Sequence, residues 1–488
     1  MRGLCYNTGT MPSPWFRTGL LLICAGLAAA SGARPALAGQ AVAPSHVPSV
    51  ESHSVTLLVF PFENGSHIAS LNWLGEGLSE LTAERLQDRR AIVLSRQDRL
   101  ATVEKMGLPD SARFSHATLV KIAGEADVDF VIYGRFVSDG KTVTLEARVL
   151  RLSPPSLSPP LTETSPLQDL LRAQAHLTWQ ILCTISPVPG AGSTFGSPAI
   201  AGCPAKGANR DETSFSAPPA SLRLEAVESL VHGLTGSEDE DRIRSLREAS
   251  RLEPAWDRPP FELGLIYFGR RDCESALPWF SRVPPNRPNG PEASFDTGVC
   301  HLLRNDAARA DAAFSGLIDR TRSTDSMEKL SDFPEIHNNL GVAQLLEGKW
   351  PEAGAEFERA AALDSGEPDY LVNQAIAKLA AKLPAAAVAP LDSAVKLNPD
   401  DKDARALLIQ VLESLGRNAD AAALRVEKPG TPGRAAPPNL QNSAVLVRLA
   451  RPSKKFDRSI LRPAGDPPAD PPKAGNGPAG NENKGAPH

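Results

Sequence analysis

One column of mostly small residues, Gly264, Gly298, Gly341, Ala375 and Ile409, runs through the second half of this chain at intervals of 34, 43, 34 and 34. Ala276, Ala310, Ala353, Ala387 and Ala421 form a second column in the same frame, and Phe280, Phe314, Phe357, Leu391 and Arg425 a third. The 43 is one period with nine residues inserted. A repeat of this length is a single supersecondary unit that cannot bury its apolar face alone, so neighbouring units must stack to share a core. The spacing therefore predicts helix-turn-helix units piled into an all-α solenoid, an architecture that binds far more often than it catalyses.

The unit Phe261-Glu262-Leu263-Gly264-Leu265-Ile266-Tyr267, followed by Ala276, Phe280 and Pro288, resembles the tetratricopeptide repeat. Gly264 and Ala276 are expected where the two helices of a hairpin cross, because small side chains let ridges and grooves approach there. Pro254, Pro288 and Pro399 share the frame and separate one helix pair from the next. The unit at Gly341 carries Ser365 in place of that proline, and the last unit, with Ile409 and Arg425 in the columns, reads as a terminal cap.

In such an array the first helix of each pair lines the concave surface, and side chains three and four apart share a face. That selects Phe261, Leu265 and Phe268, then Phe295, Val299 and Leu302, then Asn338, Val342 and Leu345, then Val372, Ile376 and Leu379 as a peptide-binding groove. The groove is expected to be apolar and poor in basic side chains, suited to a hydrophobic helix or extended segment. The alternative is that these positions pack against neighbouring repeats or lie under the chain's own tail.

The amino terminus predicts export. Arg17 precedes the apolar run Gly19 to Ala30, and Ala36-Leu37-Ala38 before Gly39 is an A-x-A cleavage site. The run is too short for a stable span, so removal after Ala38 and a periplasmic or secreted product are expected. Ile23 before Cys24 departs from a lipobox. Cys183, Cys203, Cys273 and Cys300 remain after cleavage, and in an oxidising compartment they allow two disulfides. Of the three possible connectivities, pairing in order, Cys183 with Cys203 and Cys273 with Cys300, is preferred; the alternative is four buried free thiols. No Cys-x-x-Cys or His-rich spacing suggests zinc.

Between leader and repeats lies a second unit. Val55 to Phe62 reads as a buried strand, Leu71, Leu74, Leu78 and Leu81 as a helix, Ala91 to Ser95 as a strand, and Leu119, Ile122, Ala123 and Ala126 as another helix. Val128 to Val137 and Thr142 to Leu150 flank the hairpin signal Asp139-Gly140. Val143, Leu145, Ala147 and Val149 alternate with polar residues, so one face of that strand is covered. This is a small α/β layer domain. LLVFPFENGS from Leu57, LGEGLSELTAERL from Leu74 and DFVIYGRFVSDGKTVTLEARVLR from Asp129 resemble the TolB amino-terminal-like domain of bacteria. The likeness spans roughly residues 54–185, includes a helix around Leu167 to Leu182, and implies protein interaction with no defined activity. The Pro-rich stretch Ser153 to Pro166 departs from that pattern, standing where a final strand or loop is expected.

The expected organisation is thus a signal peptide at 1–38, the α/β domain at 54–185, a Pro/Gly/Ser-rich linker at 186–220, repeats at 221–427 and a disordered Pro-rich tail at 428–488. One island of the tail, Val445 to Arg462, mixes apolar and basic residues and reads as a solvated linker or a docking peptide. A net charge of −5 argues against nucleic acid as the main partner. His-Glu-x-x-His, Walker and Gly-x-Ser-x-Gly motifs do not occur, and Gly190-Ala191-Gly192-Ser193 sits in the linker rather than after a strand. No catalytic residue, cofactor or metal is expected. His337 reads as a solvated or groove residue, and Glu63 and Glu76 as turn and helix-surface groups. Two functions remain open: an exported, envelope-associated scaffold that holds another protein or peptide, and a sensor or enzyme whose α/β domain takes a small ligand. The oligomeric state is not encoded in any of these patterns.

Overall fold

The computed structural model describes residues 55–66, 68–87, 91–109, 114–185, 222–322, 333–426 and 448. The expected signal peptide, the linker with Cys203, and the tail apart from Arg448 lie outside the described residues.

The first unit is a mixed sheet between two helical layers. Its elements are β1 (Thr56–Val59), β2 (Glu63–Asn64), α1 (Trp73–Gln87), β3 (Ile92–Val93), α2 (Arg96–Lys105), α3 (His116–Ala126), β4 (Phe130–Ser138), β5 (Thr142–Arg151), β6 (Ser156–Leu157), β7 (Leu161–Pro166) and α4 (Leu170–Ile185). The strands run in the order β3-β1-β4-β5, with β1 parallel to both neighbours, β2 beside the end of β4, and β5 antiparallel to β4, β6 and β7. Because side chains alternate along a strand, Leu57 and Val59 face a core shared with α1 and α4, while Leu58 and Phe60 face α2 and α3. The β4–β5 hairpin turns at Gly140, whose φ of 87° favours glycine, and Asp139 Oδ1 accepts from Lys141 N at 2.8 Å and Thr142 N at 2.7 Å.

Two expectations change here. The Pro-rich stretch contributes a strand, β7, which pairs with β5 from Thr142↔Pro166 to Ala147↔Leu161 and closes that edge of the sheet. Its proline stands at the strand end, where a missing N–H is tolerated. The helix α2 was not anticipated, because only Arg99 and Val103 of its ten residues are buried and no apolar stripe marks it.

The second unit consists, among the described residues, of α5 (Leu224–Thr235), α6 (Asp239–Leu252), α7 (Arg258–Gly269), α8 (Cys273–Phe280), α9 (Gly290–Leu303), α10 (Ala307–Arg322), α11 (Pro334–Leu346), α12 (Trp350–Leu363), α13 (Pro368–Ala380), α14 (Pro384–Leu397), α15 (Lys402–Ser414) and α16 (Asn418–Val426). They form six consecutive antiparallel pairs. The glycine and phenylalanine columns lock three of these pairs together: a Cβ on Gly264 would lie 2.4 Å from Phe280 Cε1, on Gly298 2.6 Å from Phe314 Cζ, and on Gly341 2.8 Å from Phe357 Cε1. Where the aromatic gives way to Leu391, alanine stands at 375, since the smaller partner leaves room for the methyl group.

The turn inside each of the last five pairs has one design. Arg271, Asn305, Gly348, Lys382 and Gly416 all have φ between 60° and 81°. The following N–H reaches back five residues, as from Asp272 N to Tyr267 O at 2.9 Å and Leu383 N to Lys378 O at 2.9 Å, the Schellman arrangement that satisfies otherwise orphaned helix-end carbonyls. Cys273 on α8 and Cys300 on α9 form a disulfide with Cα atoms 5.2 Å apart, tying adjacent pairs. Cys183 on α4 is also disulfide-bonded.

The two units share a packed junction. Leu81 of α1 belongs to the same buried cluster as Ala226, Val227 and Leu230 of α5. Gly77 brings α1 close to α5: a Cβ there would be 3.4 Å from Val227 Cγ1 and from Val231 Cγ2. Beside this contact Arg258 of α7 meets Glu262 at 2.7 Å and Glu80 of α1 at 3.2 Å, and Trp256 Nε1 donates to Glu84 Oε1 at 3.1 Å. Burial pushes the Glu80 carboxyl above the ordinary carboxylate range, and Arg258 offsets only part of this because it also serves Glu262. The same arginine, although buried, is held charged by Glu262 and Glu80.

Candidate functional site

The candidate site lies where the first helices of the last three pairs, α11, α13 and α15, stand side by side. Asn338 projects from α11, and Asp369 and Asn373 from one face of α13, four residues apart. Asp401 is the N-cap of α15; its Oδ1 accepts from Asp403 N at 3.1 Å and Ala404 N at 3.0 Å, which leaves Oδ2 free to point elsewhere.

These four side chains converge on Arg448. Asn373 grips its backbone from both sides: Arg448 N donates to Asn373 Oδ1 at 2.9 Å, and Asn373 Nδ2 donates to Arg448 O at 2.7 Å. Asn338 Nδ2 donates to the same carbonyl at 3.0 Å. The amides brace each other, with Asn373 Nδ2 to Asn338 Oδ1 at 2.7 Å and Asn338 Nδ2 to Asn339 Oδ1 at 3.1 Å. An amide that answers one N–H and one C=O reproduces the pairing of a β-ladder, so it recognises extended main chain regardless of side chain.

The arginine side chain is read separately. One terminal nitrogen bonds Asp369, and the other lies 2.6 Å from Asp401 Oδ2. Burial disfavours the guanidinium charge, but Asp369 and Asp401 outweigh it and raise the pKa above its usual value. The pair of acids thus selects for a cation, and the fork of donors suits two carboxylates better than an ammonium.

The apolar stripe expected to line this face is placed deeper. Phe295, Val299, Leu302, Val342, Leu345, Val372 and Ile376 are buried in one continuous core with the second helices, and Phe261 is buried in the cluster nearer the junction. Leu265, Phe268 and Leu379 are half-buried. Of those twelve positions, Asn338 is the one that the structure brings to Arg448. His337, expected to be solvated or in the groove, is buried and meets Glu356 on α12 with Nδ1 2.5 Å from Oε2.

Asp369, Asn373 and Asp401 escaped sequence reasoning, which followed apolar spacing. A signal existed: Glu262, Asp296, Asn339 and Asn373 stand two residues before the small column, at the same 34, 43 and 34 intervals, and all four are buried. A polar column kept inside an array core marks groups with partners to satisfy.

Among the described residues, no group of three or more His, Cys, Asp or Glu side chains is placed to hold a metal ion. No helix among them is long and apolar enough to cross a membrane.

The family model described as Tetratricopeptide repeat matches residues 326–368 and 372–435, which include Asn338, Asn373 and Asp401. Residues 326–435 therefore carry tetratricopeptide repeats. Among solved structures, the chain is similar to YrrB, described as a tetratricopeptide-repeat protein with an unusual peptide-binding site, at 15% identity, covering 38% of this chain and 92% of that one with a TM-score of 0.32. It is similar to PilW, a type IV pilus biogenesis factor, at 19% identity over 43% and 97% with a TM-score of 0.34. The C-terminal domain of LpoB from Salmonella enterica matches at 14% identity over 24% and 86%, with a TM-score of 0.20. No curated protein matches the chain.

Proposed function

We propose that this chain is an exported, non-catalytic adaptor that holds an extended segment of another protein on the first-helix face of its last three repeats. The observation that carries the reading is the grip of Asn338 and Asn373 on the main chain of Arg448, because a face built to hydrogen-bond extended backbone is a peptide-recognition device. The leader-like amino terminus supports a periplasmic or secreted location. The likeness of residues 54–185 to TolB amino-terminal-like domains supports contact with envelope machinery through that unit. The packed junction through Leu81, Glu80 and Arg258 lets it present the repeats at a set angle.

Crosslinking in the native cell envelope tests this. Asp369→Lys combined with Asn373→Ala is expected to remove the partner crosslinks, while Glu352→Lys, on an exposed position of α12, leaves them in place. Persistence of every crosslink in the double variant overturns the assignment of the face.

A further inference from the structure

The occupant of this face in the structure is a residue of the same chain, and that identifies both a regulatory contact and the chemistry of the partner. We infer that the tail segment centred on Arg448 is a tethered ligand of the repeat array, which holds the face until a partner segment with an extended backbone and its own arginine displaces it.

The proposal rests on the peptide-binding reading above and adds the identity of the occupant. Three observations carry it. Arg448 satisfies every feature of the site at once, giving its N–H and C=O to the asparagines and its guanidinium to Asp369 and Asp401. Charge is complementary, since the site presents two carboxylates and residues 445–462 carry six Lys or Arg against one Asp. The tether also has the reach: twenty-one residues separate Val426, at the end of α16, from Arg448, enough to span roughly 70 Å when extended.

A tether of this length gives an effective concentration on the order of 1 mM, so even a weak contact keeps the face occupied against free competitors at micromolar levels. Specificity follows from the split recognition. The asparagines accept any extended backbone, while the acids reject a segment that brings no cation, because two buried carboxylates are then left unpaired.

The test uses full-length protein and a fluorescent peptide of residues 442–454. Against Arg448→Glu protein, whose own tail can no longer pair with Asp369 and Asp401, the peptide is expected to bind at least about tenfold more tightly than to the wild type, where it competes with the tether. A peptide with glutamate in place of the arginine is expected to bind the same variant at least about tenfold more weakly. Equal affinity of the first peptide for both proteins, binding to neither, or equal affinity of the two peptides overturns the inference. Wild-type protein that sediments as a dimer and becomes monomeric with Arg448→Glu also overturns it, assigning the occupant to a second copy. Failure here with loss of partner crosslinks in the Asp369→Lys, Asn373→Ala protein leaves the adaptor reading standing. Tail binding with crosslinks intact does the reverse.

Discussion

The first two full repeats, α7 to α10, and the next two, α11 to α14, share one frame yet spend their buried polar column differently. In the early pairs the column holds Glu262 and Asp296; in the later ones it holds Asn339 and Asn373. Glu262 ends in an ion pair with Arg258, which reaches on to Glu80 of the α/β domain. Asn373 ends on a main chain that belongs to a distant segment. Carboxylates suit a neighbour whose charge is permanent and fixed in place. Carboxamides suit a neighbour offering one donor and one acceptor, which every peptide has. The early repeats are thus built into the molecule by the junction and the Cys273–Cys300 bridge, and the later ones face a replaceable segment.

The most disruptive way to challenge this division is to damage the shared frame in the later half. Phe357→Ala removes a fully buried ring from the α11–α12 pair and is expected to cost about 3–5 kcal/mol, read as a fall in the urea midpoint of the helical signal. Because repeats couple mainly to their neighbours, the loss should abolish binding of the 442–454 peptide before it disturbs the junction with α1. A cost below about 1 kcal/mol would mean that the columns do not hold the pairs together.

Next in size is the fit between the small and aromatic columns. Gly341→Ala drives a methyl group into Phe357 and is expected to destabilise by about 1–3 kcal/mol. Adding Phe357→Leu should recover part of that loss, since it recreates the Ala375 and Leu391 combination found one repeat later. A double variant no more stable than Gly341→Ala alone would break the proposed coupling of the two columns.

A pH-dependent effect belongs to the early half. Glu80 binds its proton more tightly folded than unfolded, so its contribution to stability is full below its unfolded pKa near 4.5 and is lost as pH rises through the higher folded value. Glu80→Gln removes that dependence. The stability of wild type relative to Glu80→Gln, followed by urea denaturation across a pH series, is therefore expected to fall as pH increases above 4.5. A flat difference would show that Arg258 fully compensates the carboxylate.

How much of this could be read beforehand follows the physics of each part. The columns at Gly264, Ala276 and Phe280 were legible because crossing helices impose size limits at a fixed period, and β4 and β5 because one covered face enforces alternation. β7 was obscured by Pro159, Pro160 and Pro166, which signal a loop locally although an edge strand tolerates them at its ends. The peptide-gripping residues were obscured for a different reason. On an amphipathic helix an asparagine or aspartate ordinarily faces water; Asn373 is marked out by its place in the buried polar column, whereas Asp369 is told apart only by Arg448, 79 positions away.

The smallest effect sharpens the comparison at the turns, which both halves share. Five turns place a left-handed residue in the same column, but it is Asn305, Gly348 and Gly416 in three of them and Arg271 and Lys382 in the others. A long side chain at φ 61° costs about 1–2 kcal/mol in backbone strain, against about 0.5–1 kcal/mol of extra chain entropy that glycine loses on folding. Lys382→Gly should therefore stabilise by about 0.5–1 kcal/mol, and Arg271→Gly by a similar amount, in urea denaturation. If the turn column is purely structural, the two gains match and peptide affinity does not change. A gain at 271 with weakened peptide binding from the change at 382 would show that the later turns are tuned to the segment they hold, placing the division between the two halves in the backbone as well as in the side chains.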